Sequence, residues 1–228
     1  MSIDDQRLIL RLTELLTSHS SDVFTQGLEL LRAASSPTLL TALLEGAGAE
    51  AERTIDRLIN SIFFDKNKLI LRDELITQLH NHAASLQPRR LRLGYLKLPA
   101  DTLHTLLSSM DLSRLVELDL RYSTIEAGLL FTDGLLRPGL ERLYLQHSGL
   151  DEAAMQLLAR CSALQTLRLL DLRYNPIGAG GARALASSEN LGALQTLRLN
   201  MHDISPEGAA LLADSAALPL AIRRSWRR

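Results

Sequence analysis

Cysteine, aromatic residues and long apolar runs are all scarce in this chain. Its 228 residues include one cysteine, Cys161, so no disulfide can form within the chain and a fold that depends on such staples is excluded. Aromatic residues make up 4% of the sequence against 46% hydrophobic residues in all, so leucine and alanine must fill the core. No apolar run reaches the ~18 residues that would span a bilayer, and the opening MSIDDQRL has no basic segment leading into an unbroken apolar stretch. A cytoplasmic protein in a reducing compartment is expected. Net charge is small too, at −1, and by itself points to no partner. Its distribution is uneven: residues 1–87 carry 8 Lys+Arg against 12 Asp+Glu, and residues 88–228 carry 17 against 14.

What is abundant is leucine at fixed spacing. The frame LxxLxLxxNxL, or a close variant, begins at Pro88, Leu115, Leu140, Leu167 and Leu194, the starts lying 27, 25, 27 and 27 residues apart. A fixed period means that one supersecondary unit is copied and stacked around a shared core. In each unit the xLxL segment alternates with the period of two of a short strand, and the remainder carries helix signals. After Leu150, Asp151 is placed to cap a helix holding Met155, Leu157 and Leu158; after Ile204, Ser205-Pro206-Glu207 reads as a cap, a first-turn proline and a dipole-matched acid. Strand and helix repeated in a right-handed coil predict an α/β solenoid of about five repeats, with a parallel sheet inside and helices outside.

Residues 1–87 lack this frame and read as helices. Leu8, Leu12, Leu15 and Leu16 form a helical stripe, and Ser21 can cap a second helix carrying Leu28, Leu30 and Leu31. Ser36-Pro37 opens a third, closed by Gly46 and Gly48, and a fourth over about residues 49–62 carries Ile55, Leu58, Ile59 and Ile62. A fifth is expected over about residues 71–84, although Lys68 to Leu71 also reads as a short strand. An all-α unit over 1–87, a bundle or HEAT-like array, is expected to cover the open end of a repeat domain over 88–222, with 223–228 as a basic tail.

The repeats resemble the leucine-rich repeat family, of the longer, helix-containing type seen in ribonuclease inhibitor. The best stretch is LRLLDLRYNPIGAGGARALASSENLGALQTLRLNMHDI, Leu167 to Ile204, and its segment IGAGGARALA, Ile177 to Ala186, is similar to bacterial repeats of the GALA variety. The resemblance implies a bacterial, non-enzymatic protein that binds a protein partner, without cofactor or metal, and says nothing of which partner. One departure stands out. The motif's asparagine normally turns inward to satisfy backbone groups, yet the five equivalent positions are Leu96, Ser123, Ser148, Asn175 and His202, so a distorted first repeat is expected at the junction with the helical unit.

In this frame the third, fifth, seventh and eighth motif positions point away from the core along the concave sheet. The third-position row holds Arg90, Glu117 and Arg142, and the fifth holds Arg92, Asp119, Tyr144, Asp171 and Arg198. The seventh adds Arg121, Gln146 and Arg173, and the eighth adds Tyr95, Tyr122, His147, Tyr174 and Met201. All four tyrosines fall on these rows, as do six arginines against three acids. Because Tyr and Arg combine large contact area with hydrogen bonding, Arg92, Tyr95, Asp119, Arg121, Tyr122, Arg142, Tyr144, His147, Asp171, Arg173, Tyr174 and Arg198 are the candidate partner-binding residues. The blander reading is that tyrosine follows β-propensity and that Arg121 and Arg173 merely pair with Asp119 and Asp171.

Other features have competing readings. Cys161 suggests a ubiquitin-ligase nucleophile, but its place at a helix-to-strand corner, with no local His or acid, favours a buried structural thiol. Leu98 to Leu112 is reminiscent of an F-box, yet fits the outer helix of the first repeat in register. Arg223, Arg224, Arg227 and Arg228 around Trp226 are suited to an anionic membrane, although a cap over the last repeat or a loose end is favoured; no nucleic-acid partner is expected. His80 and His82 diverge on a helix and cannot share a metal. Gly178 to Gly181 lack the Lys-Ser/Thr of a phosphate loop. The alternatives to an interaction scaffold are a ubiquitin-ligase component or secreted effector, and a regulator of a small GTPase.

Overall fold

A computed structural model describes residues 3–34, 39, 69–94, 97–132 and 134–227. Among these residues, three helices come first: α1 (Ile3–Leu16), α2 (Ser21–Ala34) and α3 (Leu69–His82). Strand and helix then alternate: β1 (Arg90–Arg92), α4 (Ala100–Ser109), β2 (Glu117–Asp119), α5 (Ala127–Phe131), β3 (Arg142–Tyr144), α6 (Glu152–Arg160), β4 (Leu169–Asp171), α7 (Gly178–Ala186), β5 (Thr196–Arg198) and α8 (Met201–Ala213). A last helix, α9 (Leu220–Trp226), closes the described chain.

The five strands form one parallel sheet in sequence order. Arg90, Glu117, Arg142, Leu169 and Thr196 pair across it in register, and so do Arg92, Asp119, Tyr144, Asp171 and Arg198, so the third and fifth motif positions form two straight rows. Between the rows, Leu91, Leu118, Leu143 and Leu170 are fully buried, each replaced by its copy one repeat on. The chain folds as the α/β solenoid expected of its period, in the form that its resemblance to leucine-rich repeats implies.

One buried cluster runs from Ile9 and Leu31 in the front helices through the leucine ladder to Leu212 and Ile222. Gly27 lets α2 lie close on α1, because a Cβ there would stand 2.9 Å from Leu16 Cδ2. Arg32 Nε donates to Glu74 Oε2 at 2.7 Å and ties α2 to α3. The front helices meet the repeats where Asp111 N donates to Leu86 O (3.2 Å) and Gln87 Nε2 donates to Asp111 Oδ2 (3.0 Å). Of the helices expected over 37–46 and 49–62, Leu39 alone is among the described residues, helical and buried in the core; the rest of both lies outside them. Leu69 to Leu71 are helical, which removes the strand alternative for the described part of that segment.

Small residues set the spacing of the outer helices. A Cβ on Gly181 of α7 would press on Ile177 and on Met155 of α6, and one on Gly208 of α8 would stand 2.9 Å from Ala182 Cβ. Gly180 and Gly181 therefore serve helix packing, whereas Gly178 takes left-handed backbone (φ 68°) at the start of α7. Asp151 caps α6 as expected, accepting from Ala154 N at 2.9 Å. The start of α8 differs from expectation: Asn200 caps a turn beginning at Met201, and the chain breaks at Ser205 (φ 64°, ψ 165°) before Pro206 opens the main helix. At the C-terminus, residues 223–226 lie inside α9 instead of forming a separate basic tail. Ile222 is buried beneath the last repeat, and Trp226 packs against the core.

Candidate functional site

Side chains from the two rows and from the turns beyond them make a polar layer over the sheet. Its three acids lie inside: Glu117, Asp119 and Asp171 are 6%, 4% and 0% exposed and have almost no surface to offer a partner. They hold the arginines. Glu117 accepts from Arg92 Nε (3.2 Å) and Arg142 Nε (2.8 Å), with Arg90 Nε at 3.9 Å. Asp119 takes Arg121 in a two-pronged grip through Nε (2.9 Å) and Nη2 (2.6 Å). Asp171 does the same with Arg173, at 2.9 and 2.7 Å, and also accepts from Gln146 Nε2 (2.8 Å) and Arg198 Nη1 (3.5 Å). The hydrogen bonds that Arg142 donates to Glu117 and Arg173 donates to Asp171 raise the pKa of both guanidinium groups, so they stay cationic. Burial raises the pKa of the Tyr144 hydroxyl, and the Arg121 guanidinium lies 5.8 Å from the centre of the Tyr144 ring.

The eighth motif positions lie just past the strand ends, where the chain turns. Tyr122, His147 and Tyr174 each adopt left-handed backbone, with φ of 63°, 53° and 64°. The ring of His147 stacks between the two tyrosines, 4.9 Å from Tyr122 and 4.4 Å from Tyr174, with planes within 15° and 6° of parallel. The ring of His202 continues the line at 6.3 Å from Tyr174, tilted by 47°. Left-handed backbone costs a bulky side chain about 1 kcal/mol or more, a penalty glycine would avoid. Three consecutive repeats nevertheless carry an aromatic ring there, on an edge where Tyr174 is 49% exposed. Tyr95, the expected first member of this row, lies outside the described residues.

Beneath the rings runs the inward ladder. Asn175 is 1% exposed and completes it: Oδ1 accepts from Ser148 N (3.0 Å) and Leu150 N (3.1 Å), while Nδ2 donates to Leu145 O and Leu172 O (both 2.8 Å). Ser148 reproduces one rung, its Oγ donating to Leu120 O at 3.2 Å. Ser123 Oγ is buried without a partner. His202 does not take the inward place assigned to it. Its side chain is 72% exposed, and the neighbouring Asp203, 7% exposed, accepts from Tyr174 N (2.8 Å) and Asn200 N (3.1 Å) instead. Sequence reasoning missed Asp203 and the buried clamp of Gln146; the acid three residues after Asn200 is a capping-box signal that would have located the former. Leu96, the expected distortion, lies outside the described residues.

The remaining candidates are set by burial and packing. Cys161 is 8% exposed, and desolvation raises its thiol pKa, opposite to what a nucleophile requires. The F-box-like segment supplies α4, whose Leu103, Leu106 and Leu107 are buried in the common core. His80 Nδ1 lies 2.9 Å from Ile76 O on an exposed helix face. Among the described residues, no group of three or more His, Cys, Asp or Glu is placed to hold a metal, and no helix is long and apolar enough to cross a membrane.

A family model described as Leucine Rich repeat matches residues 163–186 and 194–213, which hold β4 and α7, then β5 and α8. No curated protein matches the chain. Such repeats are generally a non-enzymatic fold for binding other proteins. The two matched repeats, together with five parallel strands held in one register, support a leucine-rich repeat protein.

Proposed function

We propose that this chain is a non-enzymatic interaction protein that binds a protein partner across the concave sheet and its aromatic rim. The contact surface would comprise Arg92, Arg121, Tyr122, Arg142, Tyr144, His147, Arg173, Tyr174 and Arg198, with Asp119 and Asp171 as buried supports. The observation that carries this reading is the run of Tyr122, His147 and Tyr174 on left-handed backbone. A backbone penalty repeated three times on a solvent-facing edge serves a purpose that packing alone does not supply, since Gly or Asn would fit the turn more cheaply. Buried carboxylates fix the arginines beside the rings and reduce the side-chain entropy lost on binding. A cytoplasmic scaffold role agrees with the lone thiol, and the burial of Cys161 takes away the nucleophile on which a ligase reading would depend.

The test is photo-crosslinking with benzoylphenylalanine placed at His147 on the rim or at Gln156 on the outer helix α6. Both positions are exposed. In extracts of the source cell, the expected result is a discrete protein adduct from position 147 and none from position 156. Adducts from 156 alone would move the interface to the convex side and defeat the proposal.

A further inference from the structure

The concave layer has a sign. Its six arginine side chains, Arg90, Arg92, Arg121, Arg142, Arg173 and Arg198, are between 16% and 46% exposed, whereas the side chains of the three acids beneath them are between 0% and 8% exposed. The acids therefore act from inside, as countercharges that orient guanidinium groups, while the surface a partner meets is cationic. Six arginines against three carboxylates leave an excess of three positive charges on a chain whose total is −1. A bidentate grip uses two of the five N–H donors of a guanidinium, so Arg173 keeps donors for a second anion even while it holds Asp171.

The aromatic ladder narrows the class of anion. Both faces of the His147 ring are covered by Tyr122 and Tyr174, and the other face of Tyr174 is turned toward His202. Stacked rings present edges and hydroxyls, so a nucleobase has little open face to stack on, although stacking supplies much of single-strand affinity. The charge excess is also interrupted by buried carboxylates and is not a continuous track along which phosphates would lie. Edges, hydroxyls and spaced guanidinium groups suit a polypeptide that carries carboxylates.

We propose, building on the concave-face reading above, that the partner presents an extended acidic segment running across the strands, with carboxylates taken by Arg121 and Arg173. The four gaps of the sheet, at ~4.8 Å each, span about 19 Å, which about six extended residues would cover at ~3.3 Å per residue. Arg121 and Arg173 stand two strands apart, ~10 Å, so acids three residues apart match them in a polyproline II segment, whose three residues per turn at ~3.1 Å each put both on one face.

The experiment is fluorescence anisotropy with three labelled probes: a peptide of repeated Glu-Ser-Ser, its Gln-Ser-Ser counterpart, and oligothymidylate of the same charge as the Glu peptide. The expected result is binding of the Glu peptide that weakens as salt rises, with at least tenfold weaker binding of the Gln peptide and of the oligonucleotide. The double variant Arg121→Lys/Arg173→Lys, which keeps a cation beside Asp119 and Asp171 but removes the guanidinium donors that reach a second carboxylate, is expected to weaken the Glu peptide about tenfold. Arg183→Gln on the convex side should bind as the wild type does. Equal binding of the Glu and Gln peptides, tighter binding of the oligonucleotide, or a double variant indistinguishable from wild type would overturn the acidic-segment inference. If the Glu peptide fails while position 147 still crosslinks a protein, the concave reading survives and only the acidic specificity is lost; failure of both removes the concave face.

Discussion

Replacing Asn175 with Ala is expected to lower the unfolding free energy by about 3–4 kcal/mol, measured by urea unfolding followed with circular dichroism. The amide bonds two backbone N–H groups and two carbonyls, drawn from two neighbouring repeats, at 2.8 to 3.1 Å in a site shut off from water. Truncation orphans four buried groups, each costing about 1 kcal/mol when water cannot replace the lost partner. At this chain length that loss corresponds to roughly 10 °C in Tm. The same truncation at Ser148, which donates across one repeat boundary, should cost about 1 kcal/mol. At Ser123, whose hydroxyl is already unpartnered, it should fall within about 0.5 kcal/mol of neutral. A loss below about 1 kcal/mol for Asn175→Ala would mean that the ladder does not hold the repeats together.

The arginine layer yields the second large effect. Arg173→Ala is expected to destabilise by about 2–3 kcal/mol, because it leaves the carboxylate of Asp171, wholly buried, with Gln146, the backbone N–H of residue 173 (3.3 Å) and a distant Arg198 as its remaining partners. The exposed pair of Arg183 and Glu207 on the outer helices is the control: its side chains are 67% and 66% exposed, and Arg183→Ala should change stability by less than about 0.5 kcal/mol. Combining Arg173→Ala with Asp171→Asn removes the unpaired charge and should restore about half of the loss. A double variant as unstable as the sum of the singles would show that the two side chains act independently, contrary to the geometry.

The solenoid was legible because leucine spacing is a strong, repeated signal: Leu91, Leu118, Leu143 and Leu170 lie where the frame puts them, in register across four strand pairs. The concave rows followed from the same alternation. Which of their members face solvent did not, because a carboxylate on a sheet surface can be covered by the longer arginines beside it, as Asp119 is by Arg121. The left-handed turns at Tyr122, His147 and Tyr174 were illegible for a different reason: tyrosine and histidine carry no signal for positive φ as glycine does, and tertiary context imposes it. At the last repeat the motif count placed His202 inward, and a capping box one residue on transferred the task to Asp203. The arginine-rich end likewise reads as a tail in charge alone, whereas Ile222 and Trp226 supply the apolar face that folds it onto the core.

The most direct measurement is the affinity of the crosslinked partner, once purified, for wild type and for the double variant Tyr122→Ala/Tyr174→Ala. Alanine meets the same left-handed backbone penalty as tyrosine, so the substitution removes the rings and leaves the turn as it was. Calorimetric titration should show at least a 30-fold loss, about 2 kcal/mol, as expected when aromatic anchors are cut from an interface. Unchanged affinity in a double variant whose circular dichroism and Tm match the wild type would contradict the claim that this rim is where the chain binds.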